Sequence, residues 1–181
     1  MLLRSTMIST RFIRTPLNMR VLAFDPGYER LGVAVLEKEN GKEVLLYSAC
    51  VRTSAALEFP ERLKKLGEET EVLIKKWKPN AVALEEIFFE KNAKTAMQVA
   101  EVRGALIYIA VSHGIKIYSY TPGEVKVAVT GYGGSDKRAI AAMVPKLLRL
   151  YSNPDAKVGA RKLDDELDAI AVGITCLASI R

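Results

Sequence analysis

Asp25 closes the apolar run Val21-Leu22-Ala23-Phe24, and Glu85 follows a second such run, Ala81-Val82-Ala83-Leu84. A carboxylate at the end of a hydrophobic strand is costly unless hydrogen bonds or a cation compensate it. A third group of acids, Asp164-Asp165-Glu166-Leu167-Asp168, opens an apolar segment near the C-terminus. On a helix, Asp165 and Asp168 share a face at i,i+3, and Asp164 and Asp168 share one at i,i+4, so spacing alone does not choose between them. Singly, each acid suits a structural or solvated position, and acids in a first helical turn complement the helix dipole. Jointly they offer another chemistry. Hard divalent cations such as Mg²⁺ take oxygen ligands, and two-ion phosphoryl-transfer sites gather carboxylates from separate elements.

Charge along the chain fits a polyanionic substrate. The 181 residues carry a net charge of +6. Residues 122–162 hold eight Lys or Arg against three acids, whereas residues 163–181 hold four acids against one Arg. A basic stretch beside a compact acidic cluster suits a phosphate backbone held next to bound cations, although solvated surface charge would look the same. One histidine, His113, rules out multi-histidine cages and argues against a His-based triad; it sits beside a helix end, where a capping or surface role is expected. The two cysteines, Cys50 and Cys176, make neither a disulfide framework nor a zinc site. No apolar run reaches the ~18 residues of a membrane-spanning helix.

These groups need elements to hold them. Residues 1–18 are rich in Ser, Thr and Arg and lack acids. They read as a basic tail, disordered or an upstream start-site extension, and their composition also fits a mitochondrial-type transit peptide. A single domain is expected over 19–181. Strands are expected from Val21, over Leu31–Leu36 and over Glu43–Val51, the last two joined by Asn40-Gly41. A helix follows from Pro60 to Trp77, then the strand ending at Leu84, then a long helix from Asn92 to His113 with Gly114 just past its end. Ile115 to Tyr120 is a fifth strand. Thr121-Pro122 starts a helix, and Ser135 can cap another running to about Leu150. The last helix, from about Leu163 to Ser179, has Leu163, Leu167, Ile170, Ile174 and Leu177 as its core stripe. This order describes an α/β fold, a mixed five-stranded sheet flanked by helices.

Six segments together carry a resemblance. Asp25-Pro26-Gly27, Leu84-Glu85-Glu86-Ile87-Phe88-Phe89-Glu90-Lys91-Asn92, Ala100-Glu101-Val102-Arg103-Gly104, Tyr120-Thr121-Pro122, Val129-Thr130-Gly131-Tyr132-Gly133 and Asp165-Glu166-Leu167-Asp168-Ala169 occur in this order. Over about residues 19–178 the chain resembles the RuvC family of Holliday junction resolvases. The resemblance implies a ribonuclease H-like fold and a homodimer acting on four-way junction DNA in recombination and repair. It implies paired, metal-dependent hydrolysis that leaves 5′-phosphate and 3′-hydroxyl ends.

Carried over by motif, the catalytic and metal-binding acids are Asp25, Glu85, Asp165 and Asp168, with Mg²⁺ as cofactor, two ions per subunit, and Mn²⁺ as a substitute. Asp164 departs from the family pattern and competes with Asp165 for the assignment. Lys126 and Lys137 match basic residues that act near the scissile phosphate and, with Arg138 and Phe88, form the expected DNA contacts. Phe88 matches an aromatic that stacks on an unpaired base, and Phe89 is the expected core member of the pair. Arg103 is expected to pair with an acid or to reach DNA. A branch-migration helicase is a further partner the family admits; the expected compartment is the cytoplasm, with no membrane association.

The dimer also has a reading from the residues themselves. Val102 to Val111 is apolar on nearly every face, so it is expected to be covered all round, by a second protomer or between the sheet and another helix. Other readings of the acids are a different nuclease of the same fold or a non-catalytic junction-binding protein. An actin-like ATPase would need far more chain and a second phosphate loop.

Overall fold

Val21, Leu22, Ala23 and Phe24 are all fully buried, although successive residues of a strand face opposite ways. A strand buried on both faces must lie at the centre of a sheet covered on both sides. The computed structural model, which describes residues 18–39, 41–87, 93–150 and 164–180, shows this arrangement. Strands β1 (Met19–Asp25), β2 (Arg30–Glu39) and β3 (Lys42–Arg52) form an antiparallel meander. Helix α1 (Phe59–Trp77) leads to β4 (Ala81–Glu85), which pairs parallel with β1. Helix α2 (Ala93–Ser112) leads to β5 (Lys116–Tyr120), parallel to β4. Then come α3 (Pro122–Thr130), α4 (Lys137–Leu147), β6 (Leu148–Leu150) and α5 (Asp164–Ser179). The sheet order is β5-β4-β1-β2-β3-β6.

The five expected strands are all present, and β6 adds a short sixth beside β3. Helix α4 was expected to reach Leu150; it ends at Leu147, two residues past Pro145, because Leu148 takes extended backbone and the chain pairs with β3. The cap of α4 is also corrected. Asp136, not Ser135, accepts the Ala139 N–H, at 2.8 Å, while Ser135 Oγ lies 2.7 Å from Thr130 Oγ1. Thr121 caps α3 as expected, reciprocated by Glu124, whose carboxylate accepts the Thr121 N–H at 2.7 Å.

Two cores flank the sheet. Leu22, Phe24, Val82 and Leu84 face α1 and α2, meeting Leu66, Leu73, Val102 and Leu106. Val21, Ala23, Ala81 and Ala83 face α3, α4 and α5, meeting Val125, Val129, Ile140, Val144 and Ile170. Each fully buried Leu, Ile or Phe contributes about 1.5–3 kcal/mol. The helix buried on all sides is α5, where every residue from Ala169 to Leu177 is buried rather than a single stripe. Helix α2, expected to be covered all round by a second protomer or between the sheet and another helix, leaves a row uncovered within the protomer, Met97, Glu101, Gly104, Tyr108 and Val111, with Tyr108 74% exposed. Among the described residues, no helix is long and apolar enough to cross a membrane. Residues 1–17 of the expected tail, with the transit-peptide reading that rests on them, lie outside the described residues, as do Phe88 and Phe89.

Candidate active site

The parallel pairing of β1 with β4 sets Phe24 opposite Leu84, so Asp25 and Glu85 end neighbouring strands one step further on. By alternation both lie on the face that α5 covers. Helix α5 comes close because two glycines make room. A β-carbon at Gly32 of β2 would collide with the backbone carbonyl of Asp165, and one at Gly173 of α5 would collide with Leu36. The first turn of α5 therefore rests on the strand paired with β1, where Gly32 is the partner of Asp25.

The acids act on one another. Burial, followed by the charges of Asp168, Glu85 and Asp165, pushes the Asp25 carboxyl up to about 7. Burial and Asp168 likewise raise Glu85, against the lowering influence of Lys137 and Lys126. The four acids carried over by motif are thus brought together. Asp164, by contrast, is exposed, and its charge bears on Lys137 rather than on Asp25.

Cations stand among these acids. Lys137, the first residue of α4, donates from Nζ to Asp168 Oδ2 at 2.9 Å, and this bond raises the lysine further above its ordinary value. Lys126 on α3 is close enough to Glu85 to lower it, and Arg138 is exposed beside Lys137. Three neighbours of the site were missed in the sequence. Arg30 Nε stands 3.4 Å from Asp165 Oδ2, Cys50 Sγ lies 3.8 Å from the same oxygen, and Ser48 Oγ donates to Glu166 Oε2 at 3.0 Å. Strand alternation on β3 would have put Ser48 and Cys50 on one face, but nothing in the chain said which helix that face meets.

Among the described residues, Arg103 meets no carboxylate group. It donates from Nη2 to Ser119 Oγ at 2.6 Å and from Nε to the Glu85 carbonyl at 3.3 Å, tying the ends of β4 and β5. His113 lies away from the site, at the end of α2, with Nε2 3.0 Å from Glu71 Oε2.

The donor set fits hard cations. Asp25, Glu85, Asp165 and Asp168 supply only carboxylate oxygens, the preference of Mg²⁺ and Mn²⁺. Burial, and after it the repulsion of the other carboxylates, raises Asp25 to about 7, and a bound dication would offset both. As they stand, no three His, Cys, Asp or Glu side chains among the described residues enclose one ion. Asp168 and Asp165 are instead turned to Lys137 and Arg30.

Residues 21–176 match the family model for the crossover junction endodeoxyribonuclease RuvC. The chain is 39% identical over 163 residues to that enzyme of Syntrophomonas wolfei, covering 90% of this chain and 91% of the relative. It is 42% identical over 156 residues to that of Caldanaerobacter subterraneus, covering 86% and 90%. The structure of Thermus thermophilus RuvC in complex with a Holliday junction substrate superimposes with a TM-score of 0.77 at 32% identity, covering 87% of this chain and 92% of that one. The yeast mitochondrial Holliday junction resolvase Ydc2, at 14% identity and a TM-score of 0.66, shares the fold. That fold is the ribonuclease H-like one. With the match running from β1 into α5 and the relatives covered along nine-tenths of their length, the chain belongs to the RuvC family of crossover junction endodeoxyribonucleases.

Proposed function

We propose that this protein resolves four-way DNA junctions by paired, metal-dependent hydrolysis, and that residues 19–181 act as one nuclease domain. The observation that carries this reading is the meeting of four carboxylates from β1, β4 and α5, mutually repelling, beside lysines from α3 and α4. Asp25, Glu85, Asp165 and Asp168 would hold Mg²⁺, two ions per subunit, with Mn²⁺ as a substitute. Bound there, the metal supplies positive charge to the attacking and leaving oxygens of an in-line displacement.

The chain's own groups do the rest. Lys137, held at the edge of the acid cluster by Asp168, presents its ammonium to the scissile phosphate. Lys126 supports the same phosphate from α3. Arg138, on the exposed side of α4, holds backbone phosphates and carries no sequence information. Breaking the bond between phosphorus and the 3′ oxygen leaves a 3′-hydroxyl and a 5′-phosphate, ends that a ligase can join. Phe88, by family position, stacks on a base at the branch point.

Two symmetric cuts require two sites. The uncovered row of α2 recurs at intervals of four, three, four and three residues, the seam of a helix that packs on another helix. We read it as the homodimer interface, which sets one acid cluster on each side of a junction. A cytoplasmic location and a branch-migration helicase as partner belong to the same reading.

Incubating labelled four-way junction and matched duplex with the protein, with and without Mg²⁺, tests the proposal. Paired, ligatable cuts in the junction alone, and only with metal, are expected. Binding without cleavage would make the protein a junction-binding module, and equal cleavage of duplex would make it a different nuclease.

A further inference from the structure

The turn between α3 and α4 carries one large side chain with an apolar body, Tyr132, and it is 70% exposed. Its neighbours in the turn are Gly131, Gly133 and Gly134. The turn is nevertheless well held. Gly131 ends α3 with φ +79° and donates its N–H to the Val127 carbonyl at 2.8 Å. The Tyr132 N–H donates to Thr130 Oγ1 at 3.2 Å, and the Tyr132 carbonyl accepts the Ser135 N–H at 3.2 Å.

Gly134 seats the ring. A β-carbon at Gly134 would stand 2.7 Å from Cε1 and Cζ of Tyr132, so the outer end of the ring lies against bare backbone. The remaining surface is open to solvent. An aromatic placed this way adds little to the core, but its position is largely set before anything binds. On either side in the sequence are Lys126, whose charge reaches Glu85, and Lys137, which is bonded to Asp168. Cations that hold a phosphate backbone with an aromatic face between them make up the grip used on unpaired nucleic acid.

A continuous duplex offers such a ring only base edges, whereas a branch point offers an unstacked base with a free face. We infer that Tyr132 is a stacking residue for an unpaired base at the branch point and that Gly134 is the seat that holds its ring. This inference rests on the reading of the site as a junction resolvase.

The test uses four-way junctions carrying 2-aminopurine beside the crossover, bound in Ca²⁺ to prevent cleavage, with matched duplex in parallel. The wild-type protein is expected to bind the junction preferentially and to change the probe's fluorescence. Tyr132→Ala should weaken junction binding roughly tenfold, a typical loss for one stacked base, with the fluorescence change lost and duplex affinity kept. Tyr132→Phe should restore both. Gly134→Ala keeps Tyr132 but unseats it; since φ at Gly134 is not positive, the fold tolerates alanine, and the variant should lie between wild type and Tyr132→Ala. Wild-type affinity and fluorescence in Tyr132→Ala would overturn the inference while leaving the resolvase reading intact. Failure of the wild-type protein to prefer the junction would instead remove the resolvase reading, and this inference with it.

Discussion

Gly32 lies directly beneath the backbone carbonyl of Asp165, with no room between them for a β-carbon. The glycine belongs to the strand paired with β1, and the carbonyl to the first turn of α5. Their approach carries Asp165 and Asp168 over Asp25, so the acid cluster depends on a side chain that is absent.

Gly32→Ala should therefore act on the site before the fold. Overpacking of this kind costs about 1–3 kcal/mol, and the rest of α5 remains anchored by its buried stretch from Ala169 to Leu177. The expected outcome is a melting temperature lower by several degrees, junction binding retained, and cleavage down at least 100-fold. Cleavage within a few-fold of wild type would show that the acids do not need this approach.

Asp25 sets the sign of a pH effect. Its carboxyl titrates near 7 in the folded chain against an ordinary value of 3.8, so the metal-free folded state binds the proton more tightly than the unfolded one. The stabilisation linked to that proton is complete below about pH 4 and is lost as pH rises through 7. Asp25→Asn cannot ionise, so without metal it should be more stable than wild type at pH 8, by up to about 4 kcal/mol, and the gap should close toward pH 4. Mg²⁺ at pH 8 should stabilise wild type and not the variant, which should bind junctions without cutting them. Calorimetry across pH checks this, and a gap that does not change with pH would refute the coupling.

Asp164 and Asp165 are separated by surroundings rather than by spacing. Asp165 bears on Asp25 and meets Arg30 and Cys50, whereas Asp164 is exposed and bears on Lys137. Asp165→Asn should reduce cleavage by 100-fold or more and Asp164→Asn by less than fivefold, as single-turnover rates in saturating Mg²⁺ will show. Equal losses would overturn the assignment.

What could be read in the chain divides by locality. Asp25 and Glu85 are legible because each closes a run that only a buried strand explains. Thr121-Pro122 is legible because capping is decided within four residues. The cap of α4 was misread because Ser135 and Asp136 are adjacent and equally able; the contact that decided it, Ser135 to Thr130, belongs to the preceding turn. Arg30, Cys50 and Gly32 matter through a helix more than a hundred residues away, and no local pattern records that meeting. Hydropathy alone also could not tell α2 from α5. Both are apolar, but α5 lies between the sheet and α3 and α4, while α2 has a neighbour only along part of its surface.

That difference sharpens the test of the dimer. Ile107 is half-buried and packs against the core beneath α2, so Ile107→Glu would damage the protomer as well as any interface. Gly104 is the better position. It lies mid-row among Met97, Glu101, Tyr108 and Val111, and a β-carbon there meets nothing within 4 Å in the protomer. Replacing a mid-helix glycine by leucine gains up to about 0.8 kcal/mol of helix propensity. Gly104→Leu should thus leave the protomer at least as stable, while its bulk holds a second α2 away. Sedimentation should show the dimer weakened by tenfold or more, and at concentrations where it dissociates, paired incision should give way to single nicks. An undiminished dimer would remove this row of α2 from the interface, and paired incision by a proven monomer would separate resolution from dimerisation altogether.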